Sequence, residues 1–170
     1  FLGREYVKSL AQAGATVVVW DRLGQPEIDF FVLELKKENI NVVGFSVDIA
    51  DESAVQQAVK EVLEKFGRID VLINNAANNP AVGSEEAKKQ FVPIEIYPVN
   101  LWRQELDSNL TGMFICIKAV VPAMKKQGKG VIVNVASEVS NIAHDHRVYN
   151  EAGKYKSPAY VTSKTGVVGL

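Results

Sequence analysis

The 170-residue sequence predicts a doubly wound parallel sheet in three layers, α/β/α. Three observations carry this expectation. Short apolar runs alternate with amphipathic helical stretches along the chain. The runs are rich in β-branched residues and apolar on both faces, as strands covered by helices on both sides must be. Polar residues suited to ligand binding stand just after the runs, where open α/β sheets bind their ligands.

Taken in order, Leu2 to Ala13 reads as a helix, with Leu2, Tyr6, Leu10 and Ala13 at helical spacing and Gly14 suited to its C-terminal turn. Ala15 to Trp20 reads as a buried strand ended by Asp21. Pro26 to Asn39 is the next helix, with proline in its first turn. Val42 to Val47 is a strand ended by Asp48. Glu52 to Phe66 carries one apolar stripe through Val55, Val59, Val62 and Phe66, with Asp51 as N-cap and Gly67 closing it. Ile69 to Ile73 is the third strand. Residues 78–98, with three prolines, read as a long irregular loop. A long helix follows from Leu101 to Gln127, with Pro122 as the expected kink or break. Gly130 to Val135 is the fourth strand, 138–157 a second polar loop, and Pro158 to Leu170 a final helix.

Composition excludes several functions. Lys plus Arg total 19 against 20 Asp plus Glu, so the net charge is −1 and no basic surface for nucleic acid is expected. At 47% hydrophobic and 23% charged the chain is that of an ordinary globular domain. Gly112 to Met124 is too short to span a bilayer and contains Lys118, so no membrane partner is expected. Cys116 stands alone, which excludes an internal disulfide and a cysteine-based metal site and fits a reducing, cytoplasmic location. The chain begins at Phe1 without a signal-peptide pattern and stops inside a helical pattern at Leu170. A single domain over 1–170 is expected, truncated at both ends and lacking its first strand and its C-terminal strands. Such a piece is expected to bind cofactor weakly and to expose sheet edges.

Candidate site residues lie at the strand ends and on the helix after the second loop. Asp21 follows Gly3 by 18 residues, close to the ~20 that separate a dinucleotide-binding glycine from its ribose-binding acid. A strand-ending Asp is most often turn chemistry. Gly3, at the start of a helix, suits the approach of a pyrophosphate to backbone amides. Asp48 and the run from Asn74 to Ala77 follow two further strands. Tyr160 and Lys164 are four residues apart on one helix face, and an ammonium beside a phenol favours the phenolate. That pair is suited to acid/base work at a carbonyl or alcohol. It is also what a packed tyrosine beside a snorkelling lysine looks like. Ser137 stands past the fourth strand, able to bond a substrate oxygen or to finish the strand. Asn109, inside the long helix, reads as a site residue or as a core amide bonded to backbone.

Together these residues resemble the short-chain dehydrogenase/reductase superfamily, classical branch. The resemblance rests on Gly67-Arg68-Ile69-Asp70-Val71-Leu72-Ile73-Asn74-Asn75-Ala76-Ala77, Asn109-Leu110-Thr111-Gly112, the run 131–137 ending Asn134-Val135-Ala136-Ser137, and Tyr160-Val161-Thr162-Ser163-Lys164. It covers essentially the whole chain and implies a Rossmann-like fold. It implies Tyr160 as general acid/base, Lys164 as its partner and a nicotinamide-ribose ligand, Ser137 orienting the reacting oxygen, and Asn109 in a proton relay. It also implies cofactor contacts from Gly3, Asp21, Asp48, Ile49, Asn75 and Ala76. The implied cofactor is NAD, favoured by Asp21, with NADP the alternative raised by Arg22. No metal is implied. A homodimer or homotetramer through the long helix and the Tyr160 helix is implied as well.

The chain departs from the family in four places. Of the glycine turn only Gly3 is present, Ala77 stands where glycine is usual, and the loops before Trp102 and before Tyr160 are long. The long loops resemble a subgroup linked to bacterial surface-sugar or flagellin-glycan synthesis. They suggest that Arg147 or Lys154 meets a hydroxylated or anionic substrate, while His144, Asp145 and His146 make a poor metal site. The expected function is an NAD(P)-dependent oxidoreductase acting on a small polar, sugar-like substrate. The alternatives are a nucleotide-sugar epimerase or dehydratase, or a non-catalytic fragment.

Overall fold

The computed structural model describes residues 2–40, 42–80, 83–142, 145, 147 and 155–170. Two compact units are present: Phe1–Ala76 with Ile115–Ile132, and Ala77–Phe114 with Val133–Leu170.

The first unit holds helices α1 (Leu2–Gln12), α2 (Gln25–Lys37) and α3 (Glu52–Phe66) and strands β1 (Val17–Asp21), β2 (Val42–Ser46) and β3 (Val71–Asn74). Most of α6 (Gly112–Gln127) and the start of β4 (Val131–Asn134) complete it. β1 and β2 are parallel, in register from Val17 opposite Val42 to Asp21 opposite Ser46. β3 neighbours β4 in a second two-stranded sheet, which begins where Val131 N–H donates to the Asp70 carbonyl at 2.9 Å. The parallel sheet expected from sequence is thus present as two pairs, because β1 and β3 are not bonded to each other among the described residues. Val17 to Trp20 are accordingly half-buried, not buried on both faces.

Two apolar clusters hold this unit. α3 and α6 close over one through Val55, Ala58, Val59, Cys116, Val120 and Met124. The other joins Val7 of α1, Leu35 of α2, Ile40 and Val42. β2 runs close under α2: a Cβ on Gly44 would stand 2.4 Å from Ile28 Cγ2, so the glycine makes the contact possible. The caps of α3 are those expected. Asp51 Oδ1 accepts from Ser53 and Ala54 N–H, and Gly67 sits at φ 75.

The second unit holds α4 (Glu85–Gln90), α5 (Val99–Leu106), short 3-10 turns at Ile94–Ile96 and Glu138–Ser140, and α7 (Pro158–Val168). The segment 78–98, expected to be irregular, therefore contains a helix. It is capped by Ser84, whose Oγ accepts Ala87 N–H at 3.1 Å. The long helix expected from Leu101 to Gln127 is interrupted, but not at Pro122. α6 runs helically through Pro122, which faces solvent. The irregularity is a π-turn at Asp107–Thr111, between α5 and α6. No described helix is long and apolar enough to cross a membrane.

Two outcomes follow. Leu35, 1% exposed, fills the second cluster, so Leu35→Ala should cost about 2–5 kcal/mol in urea unfolding. Exposed Leu33→Ala should stay within about 0.5 kcal/mol. Burial pushes the Cys116 thiol up to about 11. A disulfide reagent at pH 8 should leave folded protein unlabelled and react fully in denaturant; rapid labelling of the native state would contradict this packing.

Candidate active site

The first unit carries the residues expected at a cofactor. Gly3 opens α1 against Asn75: a Cβ on Gly3 would stand 3.0 Å from Asn75 Nδ2. The first turn of α1, with its unpaired amides, therefore comes up directly against the residue after β3. Asp21 ends β1, exposed; its carbonyl accepts Val47 N–H at 2.8 Å and its Oδ1 accepts Leu23 N–H at 3.2 Å. Asp48 is exposed just past β2, with Oδ1 accepting Ala50 N–H at 2.9 Å. Ile49 packs against the α3–α6 cluster, and Ala76 is exposed. Asp21 and Asp48 thus make local turns and keep their carboxylates at the surface, beyond the carboxyl ends of the two paired strands. Gly3 and Asn75 fit a group that needs close backbone approach.

The second unit carries the residues expected at the chemistry. α7 buries Ala159, Ser163, Lys164 and Val167, one face of a helix. Lys164 is 2% exposed, and its Nζ donates to the Val135 carbonyl, just past β4, at 2.5 Å. Burial holds its pKa below the usual lysine range. Its ammonium lies 6.0 Å from the centre of the Tyr160 ring. Gly166 lets α7 close on the π-turn, where an added Cβ would stand 2.8 Å from Leu110. Ser137 lies past β4; its N–H donates to Ser140 Oγ at 3.0 Å. Asn109 is fully buried in the π-turn. Its Oδ1 accepts Asn78 N–H at 2.5 Å and its Nδ2 donates to Asn78 O at 3.3 Å. The Asn109 side chain thus ties the segment after β3 by its backbone, which is the bland reading of that residue.

Other residues of this unit were missed by the sequence. Glu105 on α5 is fully buried; Tyr97 and Ser157 hydroxyls both donate to its carboxylate, Ser157 at 2.7 Å. Its spacing of four before Asn109 and eight before buried Met113 was the available signal: a charge in a buried stripe. Lys156 is half-buried, 4.5 Å from the Tyr160 ring centre and 6.0 Å from that of Phe91. Lys156 also lines a cavity of 180 Å³ with Val92, Ile94, Glu95, Tyr155 and Pro158. Arg147, expected to meet substrate, is exposed and bonded to Asp145, Nη2 to Oδ2 at 2.7 Å. Lys154, His144, His146 and Tyr149 lie outside the described residues.

The family model for short chain dehydrogenases matches residues 2–170. A 3-oxoacyl-(acyl-carrier-protein) reductase FabG of Staphylococcus aureus is 30% identical over 99% of this chain and 61% of its own length. A 2-dehydro-3-deoxy-L-rhamnonate dehydrogenase (NAD(+)) of Sphingomonas sp. is 30% identical over 99% of this chain and 58% of its own. Among solved structures, an NAD+-bound xylitol dehydrogenase has a TM-score of 0.78 at 28% identity, with 99% of this chain and 57% of that one covered. An actinorhodin polyketide ketoreductase with NADPH has a TM-score of 0.81 at 29% identity, over 99% and 57%. The fold is therefore the Rossmann-like α/β fold of these proteins, and the chain spans about three fifths of the length of the curated relatives it matches.

Proposed function

Because the chain belongs to the short chain dehydrogenase family, we propose that the whole protein is an NAD(P)-dependent oxidoreductase acting on the carbonyl/alcohol pair of a small polar, sugar-like substrate. One observation carries this reading: Tyr160 and a buried Lys164 share α7, with the lysine anchored on Val135. The nicotinamide cofactor supplies and accepts the hydride. Gly3, Asp21, Asp48, Ile49, Asn75 and Ala76 would hold it, with Lys164 and Tyr160 at its reactive end. The close approach of Gly3 to Asn75 supports that assignment. The Asp21 carboxylate suits a ribose hydroxyl and repels a phosphate, which favours NAD over NADP.

In this reading Tyr160 Oη gives its proton to the substrate oxygen in reduction and takes it back in oxidation. The Lys164 ammonium stabilises the charge that develops on Oη, and its bond to Val135 keeps it from turning to solvent. Ser137 holds the substrate oxygen toward Tyr160. Asn109 fixes the segment after β3 against the π-turn, and a proton relay through it belongs to the same proposal.

The substrate class is the narrower part. The names of the rhamnonate and xylitol dehydrogenases are those of sugar-acid and polyol enzymes, which supports an oxygen-rich substrate. Lys156 supports it from the protein side, as a half-buried ammonium beside Tyr160 that makes no hydrogen bond among the described residues. Membership in the surface-sugar or flagellin-glycan subgroup is the narrowest form of the proposal and rests on the two lengthened loops alone. A cytoplasmic homodimer or homotetramer belongs to it as well, supported by exposed Phe114 and Val168 on α6 and α7.

In the full-length protein, Tyr160→Phe should lower turnover of any active substrate by at least roughly a hundredfold, followed by NADH and NADPH absorbance over a panel of sugars, sugar acids and alcohols. Turnover that survives the substitution refutes the acid/base role. Tight NAD binding without net turnover would move the assignment to an epimerase or dehydratase. Lys156→Gln should raise KM roughly tenfold for a sugar acid and leave the matching neutral polyol within about twofold. Equal changes for both would remove Lys156 from substrate recognition.

A further inference from the structure

Glu105 is a carboxylate without contact to water, placed one helix away from the tyrosine. It lies on α5, and its two partners come from either side of it in the chain, one 8 and one 52 residues away. Tyr97, ahead of α5, donates its hydroxyl to Oε1. Ser157, ahead of α7, donates its hydroxyl to Oε2 at 2.7 Å. The Tyr97 and Ser157 oxygens are themselves 3.0 Å apart.

Ser157 is also the N-cap of α7, and its Oγ accepts the N–H of Tyr160 at 3.1 Å. A serine hydroxyl has one proton and two lone pairs. With the proton held by Glu105, a lone pair is turned toward Tyr160 N–H. A serine cap without such a partner is free to rotate its hydroxyl, and the helix start then loses a fixed orientation. The carboxylate thereby sets the direction of the cap, and the cap sets the backbone of Tyr160 itself.

Burial of a carboxylate is costly unless its oxygens are satisfied. Here desolvation raises the Glu105 pKa, opposed by the Tyr97 and Ser157 bonds and by the Lys156 charge. A leucine at 105 would match the buried stripe at no such cost. The carboxylate is explained by the two hydroxyls it orders, one of which belongs to the helix that carries Tyr160 and Lys164.

We propose that Glu105 is a positioning residue for Tyr160, acting through the Ser157 cap, with Tyr97 bracing both. The proposal rests on the acid/base reading of Tyr160. In it, the 78–98 segment, α5 and the segment before α7 are joined at one point so that the phenol meets the substrate oxygen at a fixed place.

The test uses full-length protein and its best substrate from the panel above. Glu105→Gln keeps the size but presents an NH2 to one of two donors. It should lower kcat roughly ten- to hundredfold, as a small misplacement of a catalytic group does, with cofactor KM within about twofold. The primary isotope effect with 4-deuterated reduced cofactor should rise, because the chemical step becomes limiting. Ser157→Ala should behave the same way, and Ser157→Thr, which keeps the hydroxyl, should restore most of kcat. A merely structural role predicts otherwise: a lower Tm with kcat and isotope effect unchanged below the transition. That result, or equal kcat for Ser157→Ala and Ser157→Thr, overturns the proposal. If Glu105→Gln does not fold, the Ser157 pair decides. Loss of activity in Tyr160→Phe with normal Glu105→Gln defeats this inference alone; full activity of Tyr160→Phe defeats the acid/base reading beneath it.

Discussion

Lys164 gives a hydrogen to the Val135 carbonyl and keeps its ammonium out of water, and much of the second unit follows from that bond. A buried ammonium loses its hydration, and the bond to a carbonyl restores only part of it. α7 must therefore run where the end of β4 offers that carbonyl. The residues on the buried face of α7 are sized to allow it. Ala159 and Ser163 are fully buried and small, and Gly166 admits Leu110 where a Cβ would collide. Ser163 returns its hydroxyl to the Tyr160 carbonyl at 2.8 Å, so even this buried polar atom is satisfied within the helix.

The π-turn meets the same requirement from the other side. It brings Leu110 under Gly166 and Asn109 onto the Asn78 backbone, and both contacts come from one turn of chain. A wider turn changes the phase of the helix at this point, so α5 and α6 need not present a single continuous stripe. Glu105 on α5 can then face Tyr97 and Ser157, while Cys116 and Val120 on α6 face the α3 cluster of the first unit's core.

Much of this was legible in the residues. Strands and helices of the first unit announce themselves by β-branched runs, the stripe of α3 and the caps at Asp51 and Gly67. The spacing of Tyr160 and Lys164 placed both on one helix, and α7 carries both; spacing alone did not separate a paired site from ordinary packing. What was not legible has physical reasons. α4 is six residues of mostly charged sequence with no apolar period, so only its Ser84 cap marks it. A π-turn is a change in backbone bonding and has no composition of its own. Pro122 looked like the break because proline lacks an N–H, yet α6 runs helically through it with the residue exposed to solvent.

Two lysines flank Tyr160 at equal sequence distance, and their surroundings differ. Lys164 is committed to a backbone carbonyl and is nearly inaccessible. Lys156 precedes the helix, is half-buried, and lies over the tyrosine ring at 4.5 Å with its donors unspent among the described residues. Burial lowers its pKa while Glu138 and Glu105 raise it, so the two carboxylates counter the cost of holding the ammonium there charged. Lys156 thus lines a small cavity with its ammonium over the Tyr160 and Phe91 rings, and makes no hydrogen bond among the described residues. Two ammonium groups within nine residues of chain thus meet different surroundings, one fixed on a backbone carbonyl and one lying over two aromatic rings.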